Sequence, residues 1–154
     1  MIAIRPVTSD DCRTVWEWSN DPIVRTASFQ SLPIPWERHE QWFRDKLADR
    51  HCRYFMVVDE GRPVGQMRFE LADGEAEVHI DVSASERSRG KGTEALRLGC
   101  GMLRAEGFGR RVVARIKPDN LASIRLFERV GFVRAGRVLV GSDVAERMVL
   151  ESPS

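Results

Sequence analysis

The chain is expected to fold as an α/β protein, with a mixed central sheet flanked by helices, and three observations lead there. Glu77-Val78-His79-Ile80-Asp81-Val82 alternates polar and apolar residues as a half-buried strand does, and a glycine-rich basic loop and a helical stretch follow it. A second strand pattern, Arg111 to Ile116, comes after that helix, and a strand–helix–strand order within one sheet calls for a parallel crossover. Upstream, Asp73-Gly74 between two strand patterns is the strongest hairpin signal in the chain, so antiparallel pairing is present as well.

The elements are justified in order. Ile2 to Val7 alternates weakly and reads as a short strand. Thr8-x-x-Asp11 is a capping-box-like start for a helix running through Val15 and Trp16 toward Asn20, where Asp21-Pro22 breaks it. The stretch from Asp21 to Pro35 is too long for a plain connection and is expected to be functional or partly helical. Pro35 suits the first turn of a helix from Trp36 to about Asp49, whose apolar face uses Trp36, Phe43 and Leu47. Strands follow over Arg53–Asp59, Pro63–Leu71 and Glu75–Val82, then a helix from Gly92 to about Glu106, where Leu96, Cys100 and Leu103 share a face. Pro118 and Asp119 open a further helix, its packed face marked by Leu121, Ile124 and Phe127 or Glu128, that Gly131 closes, and Val133–Val140 with Ala145–Glu151 forms a last hairpin around Gly141-Ser142-Asp143.

The 154 residues suit one domain, 1–154, with room for a full core. Lys and Arg number 24 against 23 Asp and Glu, so no global charge draws the chain to nucleic acid or to an anionic membrane. No apolar run approaches membrane-spanning length and the N-terminus lacks a signal-peptide core. Cys12, Cys52 and Cys100 are scattered, as expected for reduced thiols in a cytoplasmic protein. His39, His51 and His79 are too dispersed to suggest a metal. A homodimer is compatible with this composition and is not specified by it.

The loop after Val82 holds Arg87, Ser88, Arg89, Gly90, Lys91, Gly92 and Thr93. A helix N-terminus offers free N–H groups and the positive end of its dipole, and glycines admit a bulky anion, so this is a phosphate cradle. Neither Gly-x-Gly-x-x-Gly nor Gly-x-x-x-x-Gly-Lys is present. What is present is Arg87-x-x-Gly90-x-Gly92, five residues after the strand; a register starting at Arg89 would place Glu94 at the final small position. The pattern resembles the pyrophosphate-binding motif of the GNAT superfamily of N-acetyltransferases. The segment Asn120-x-x-Ser123-x-x-Leu126-Phe127-Glu128-x-x-Gly131-Phe132 is similar to a second motif of that family. The resemblance implies acetyl-CoA as co-substrate and no metal. It implies splayed parallel strands that admit the pantetheine arm, backbone contacts to that arm from Ile80, Asp81 and Val82, and a diphosphate held by Arg87 to Thr93. It also places Asn120, assisted by Ser123, and Phe127 beside the arm. Many members carry a tyrosine where this chain has Phe127, and a phenyl ring has no proton to give the leaving thiolate.

Acetyl transfer to an amine needs a proton acceptor. Glu77, His79 and Asp81 share one face of their strand. Asp81 reads best as a residue of the solvent face, which leaves Glu77 and His79 as equal candidates for the base. The N-terminal third, with Trp18-Ser19-Asn20-Asp21-Pro22, Arg25 and His39-x-x-Trp42-Phe43, looks like that of GNAT members acting on nucleotide-linked amino sugars in the pseudaminic-acid pathway. That implies a small-molecule amine acceptor met by Asn20, Arg25 and His39, while Trp42 and Phe43 read as core. A protein N-terminal acetyltransferase and a non-catalytic acetyl-CoA sensor are the alternatives; Arg115 and Lys117, standing where some protein-acetylating relatives carry a carboxylate, count against the first.

Overall fold

In a computed structural model that describes residues 1–87 and 90–151, the chain forms β1 (Ile2–Pro6), α1 (Cys12–Ser19), α2 (Pro22–Ala27), α3 (Trp36–Ala48), β2 (Cys52–Asp59), β3 (Arg62–Ala72) and β4 (Glu75–Val82), then α4 (Lys91–Glu106), β5 (Arg111–Ile116), α5 (Leu121–Val130), β6 (Val133–Val140) and β7 (Asp143–Glu151). Single 3-10 turns, Ser9–Asp11 and Ala84–Glu86, precede α1 and follow β4. The expected mixed α/β architecture is present. One seven-stranded sheet has the order β1-β2-β3-β4-β5-β7-β6 and is antiparallel except between β4 and β5.

Local chemistry sets most boundaries. Thr8 and Asp11 make the reciprocal capping box that starts the first helical segment. Asp21 caps α2 by accepting from the Ile23 N–H at 2.8 Å, so the stretch after Pro22 is helical for six residues before the loop 28–35. Asp73 and Gly74 both take positive φ, 52° and 79°, as a two-residue hairpin turn demands. Gly131 ends α5 at φ 109°, a left-handed cap that a Cβ would penalise. The last hairpin turns on Gly141-Ser142, and β7 begins at Asp143 rather than Ala145 because Asp143 pairs with Val140. Leu47 and Leu121, read as core-facing, are exposed; α3 buries His39 and Phe43 instead, and α5 buries Ile124 and Phe127.

The sheet has a core on each face. Phe55, Val57, Met67 and Phe69 pack against Leu96, Cys100 and Leu103 of α4 and Ile124 and Phe127 of α5. On the opposite face Tyr54 and Met56 pack against Val15 of α1 and Phe43 of α3. Burial pushes the Cys52 thiol up to about 11 and the Cys100 thiol to about 12, so both are inert hydrophobes. No helix among the described residues is long and apolar enough to cross a membrane.

The site is positioned by a break in pairing. β4 and β5 are in register only from Glu75↔Arg111 to Glu77↔Val113; beyond Glu77 the strands part, and β4 continues to Val82 with β3 alone beside it. The splay expected between these strands is present.

Candidate active site

Where β4 and β5 part, a cleft of about 930 Å³ opens on the α1–α3 side of the sheet. Its floor is the polar face of β3 and β4, its walls come from α3, β5 and α5, and the loop 28–34 covers it. At one end α4 begins. Gly90 stands before its first turn at φ 76°, and open space surrounds the position a Cβ would take there, so the backbone conformation is what calls for glycine. Gly92 is small for another reason: its Cβ would lie 2.8 Å from Leu126 of α5 and 3.4 Å from Val82. Thr93 is buried behind it. Arg87 reaches Asp21 at 3.5 Å, tying the loop to the α2 cap. Lys91 binds Asp59 at 2.9 Å and also Glu86, whose other oxygen meets Arg62 at 3.0 Å. Lys91 shares these two carboxylates with the Met1 ammonium and Arg62. Ser88 and Arg89 lie outside the described residues.

At the other end of α5's approach, Asn120 caps α5 by accepting from the Ser123 N–H at 3.3 Å, and both residues line the cleft. Phe127 lines it too, 3 % exposed and edge-on to Phe132 with centroids 4.9 Å apart. Past Glu77, β4 has no strand on its β5 side, which leaves backbone groups near Ile80 to Val82 to bind an extended amide chain. A helix start, a free strand edge and a facing asparagine suit the diphosphate and amide arm of a coenzyme A thioester.

Chemistry on the floor differs from the expectation. Glu77 and Arg115 pair through both guanidinium arms, one contact being 2.9 Å, and His79 Nε2 lies 3.7 Å from the same carboxylate. Burial disfavours the Glu77 charge, yet His79 and Arg115 overcome it and hold the carboxyl at about 2. Glu77 is therefore held as an anion by its partners, an environment that weakens it as a proton acceptor. Asp81, read as a solvent-face residue, is half-buried. It sits on the cleft floor, where burial raises its pKa above the ordinary 3.8 despite the pull of Arg68, His79, Arg25 and Arg87. Gln66, directly across the ladder, donates to Asp81 Oδ2 at 3.3 Å and accepts from the Tyr54 hydroxyl, which aims the carboxylate. Burial also raises the Tyr54 phenol, so it remains a fixed donor within the core.

Of the three residues expected to meet the acceptor, Arg25 and His39 line the cleft, and all three are bonded within the protein. Asn20 accepts from Ile34 N–H at 2.7 Å and donates to its carbonyl at 3.1 Å, and Trp16 donates to that carbonyl at 2.8 Å. Arg25 donates to the Ser19 carbonyl at 2.6 Å, the Gln30 carbonyl at 2.9 Å and Ser28 Oγ at 3.3 Å. Together they pin the covering loop at both ends. His39 is 2 % exposed among Trp36, Trp42 and Phe43, and its Nε2 meets the Cys12 carbonyl at 3.0 Å. Burial lowers its pKa, so a neutral core imidazole joins α1 to α3. Sequence reasoning missed Gln66 and Gly65; the only signal for either was a glutamine and a glycine inside a strand pattern, and glycine there marks a close backbone approach.

One stability prediction follows from Glu77. Its folded pKa, about 2, lies below the ordinary 4.5, so its contribution is complete above 4.5 and disappears as pH falls through the interval down to about 2. Chemical denaturation across pH 2–7 should show Glu77→Gln less stable than wild type near neutrality by on the order of 1–2 kcal/mol, with solvent screening at Arg115 allowed for. The two curves should converge near pH 2; a constant offset across that range would rule out the ionic origin.

The comparisons with known proteins agree with this geometry. Residues 2–133 match the family model described as an acetyltransferase (GNAT) domain. Aminoglycoside N(6')-acetyltransferase type 1 of Klebsiella pneumoniae is 26 % identical over 164 residues, covering 96 % of this chain and 82 % of that one. The structure of aminoglycoside acetyltransferase AAC(6')-Ib in complex with coenzyme A superposes with a TM-score of 0.86 at 21 % identity, covering 98 % of this chain and 95 % of that one. Spermidine N-acetyltransferase from Vibrio cholerae in complex with CoA and spermine gives 0.87 at 16 % identity, with coverage of 98 % and 95 %. At those identities the two superpositions establish the fold. The relatives are named for aminoglycosides and spermidine, and none of the three points to pseudaminic-acid enzymes. The chain belongs to the GNAT family of acetyltransferases, acyltransferase enzymes whose acetyl donor is acetyl-CoA.

Proposed function

We propose that this chain acetylates the primary amine of a small-molecule amino sugar, nucleotide-linked forms included, by direct attack within a ternary complex, and that Asp81 receives the proton. The carrying observation is a half-buried carboxylate, held by Gln66, on the floor of a cleft that opens where β4 and β5 separate, with desolvation raising its pKa. The donor supplies an activated acyl group. As the amine nitrogen forms the new C–N bond the C–S bond breaks, the sulfur leaves as thiolate and the ammonium proton passes to Asp81. A base whose pKa has been moved toward neutrality suits that transfer. His79, two residues along the same face and partly open to solvent, is placed to carry the proton out of the cleft. Phe127 cannot protonate the sulfur, so water or the product solution must do so.

The same Phe127 favours a second reading, an acetyl-CoA-binding sensor without turnover. Release of CoA thiol from acetyl-CoA, measured against free amino sugars, nucleotide-linked amino sugars and peptides, separates the readings. Thiol release with amino sugars and none with peptides is the expected result. Acetyl-CoA binding without thiol release from any amine would establish the sensor, and release with peptides alone would establish a protein acetyltransferase.

A further inference from the structure

The sign of the charge lining the cleft narrows the acceptor. Four arginines, Arg25, Arg38, Arg68 and Arg115, face two carboxylates, Glu77 and Asp81. Arg115 and Glu77 neutralise each other. Arg68 lies over the Trp42 ring at 4.9 Å and binds Glu70 at 2.6 Å, but Lys46 claims that same carboxylate oxygen at 2.8 Å, so the cluster keeps a surplus positive charge. Arg25 is satisfied only by uncharged oxygens, two carbonyls and a hydroxyl, and no carboxylate touches it. Burial lowers its pKa against the opposing pull of the Asp81 charge. Arg38, exposed on the cleft-facing side of α3, makes no hydrogen bond or ion pair with any described residue.

We infer that the acceptor is an anionic amine, a sugar bearing a phosphate or diphosphate, that Arg38 is its direct contact, and that polycationic amines are rejected. The inference rests on the amine-acetylating reading above and specifies its substrate class. A guanidinium with free donors matches phosphate geometry, and such a charge-assisted contact is stronger than a neutral one. Arg25 and Arg68 supply the surrounding field. That field also disfavours an ammonium beside Asp81, which pushes the bound amine toward the free base that attacks. An aminoglycoside or a polyamine, carrying several positive charges, would meet like charge along the wall and find no unclaimed carboxylate except Asp81. A cleft of about 930 Å³ has room for a phosphorylated sugar beside an extended thioester arm.

The test compares kcat/KM, read as CoA thiol release, for glucosamine 1-phosphate, glucosamine and spermidine, and repeats it with Arg38→Glu and Arg38→Lys. The phosphorylated sugar should exceed the neutral one by about tenfold or more. Arg38→Glu should raise its KM by a similar factor with kcat and the KM for acetyl-CoA unchanged, and Arg38→Lys should fall between. A second reading needs no turnover: on protein saturated with CoA, so that the α4 end is filled, inorganic pyrophosphate should bind wild type and not Arg38→Glu by calorimetry. Equal or better use of spermidine overturns the inference and leaves the transferase reading intact, as does an unchanged KM in Arg38→Glu. Pyrophosphate binding without turnover of any amine upholds the anion site and overturns the transferase reading. No pyrophosphate binding to the CoA-saturated protein overturns the anion site.

Discussion

Asp81→Asn should lower kcat by about 10²–10⁴-fold, the range for losing a positioned proton acceptor, while acetyl-CoA affinity stays within about twofold and thermal stability does not fall. The combination is what separates a base from a structural residue. Asparagine keeps an oxygen to accept from Gln66 Nε2, so the packing between β3 and β4 survives. It removes a carboxylate whose charge is disfavoured by burial. For such a group the folded state binds the proton more tightly than the unfolded one. Stability therefore declines as pH rises from the ordinary value of 3.8 through the raised folded pKa, and above it the charged form is a net cost. Asp81→Asn should thus equal or exceed wild type in Tm at pH 7, a gain in stability purchased with function. Wild-type kcat should rise with pH along an acid limb centred above 3.8, because only the ionised carboxylate accepts a proton, and the variant should lose that limb. A kcat within threefold of wild type would remove Asp81 from the reaction, and a parallel collapse of Tm and acetyl-CoA affinity would make it structural.

Much of the fold was legible because its signals are local. The Thr8–Asp11 box, Asp73-Gly74 and Gly131 each act over a few residues, and each is where the sequence pattern puts it. The strand β4 and the helix α4 after the loop were legible for the same reason. The roles of polar side chains were not, because each is decided by a partner far along the chain. Asn20 binds Ile34 and His39 binds Cys12, so residues that read as acceptor contacts hold helices and a loop in place. Period-two alternation put Glu77, His79 and Asp81 on one face, where Asp81 read as solvent-facing and Glu77 and His79 as equal candidates for the base. The ranking comes from their cross-sheet neighbours: Arg115 on β5 captures Glu77, whereas Gln66 and the helices over the sheet enclose Asp81. Arg25 and Arg38 come to line one cleft only once α2, α3 and the strands are assembled.

Gly65→Ala should be the most damaging small substitution outside the reacting groups, costing about 1–3 kcal/mol, as overpacking a tight site does, and lowering kcat beyond what the stability loss explains. A Cβ at Gly65 would stand 2.6 Å from the Asp81 carbonyl oxygen and 3.2 Å from Val82 Cα. Both are backbone atoms, so no side-chain rotation relieves the clash and β4 must move. Gly65 pairs with Val82 and sits beside a register shift at Val57/Val58, where β3 carries one extra residue, Val64. The Val64 carbonyl in turn accepts from the Ser83 N–H at 2.7 Å, just where the chain leaves β4 for the phosphate loop. Displacing β4 there moves Asp81 away from Gln66 and shifts the approach to α4 at once, so kcat and the KM for acetyl-CoA should both worsen. Gly101→Ala is the matched control: its Cβ would meet nothing within 4 Å, and in the middle of α4 alanine is the better helix former. That variant should match or slightly exceed wild-type stability with unchanged kinetics. Equal behaviour of the two alanines, by denaturant midpoint and by kcat, would show that the closeness of β3 to β4 at Gly65 does not set the position of the Asp81 carboxylate.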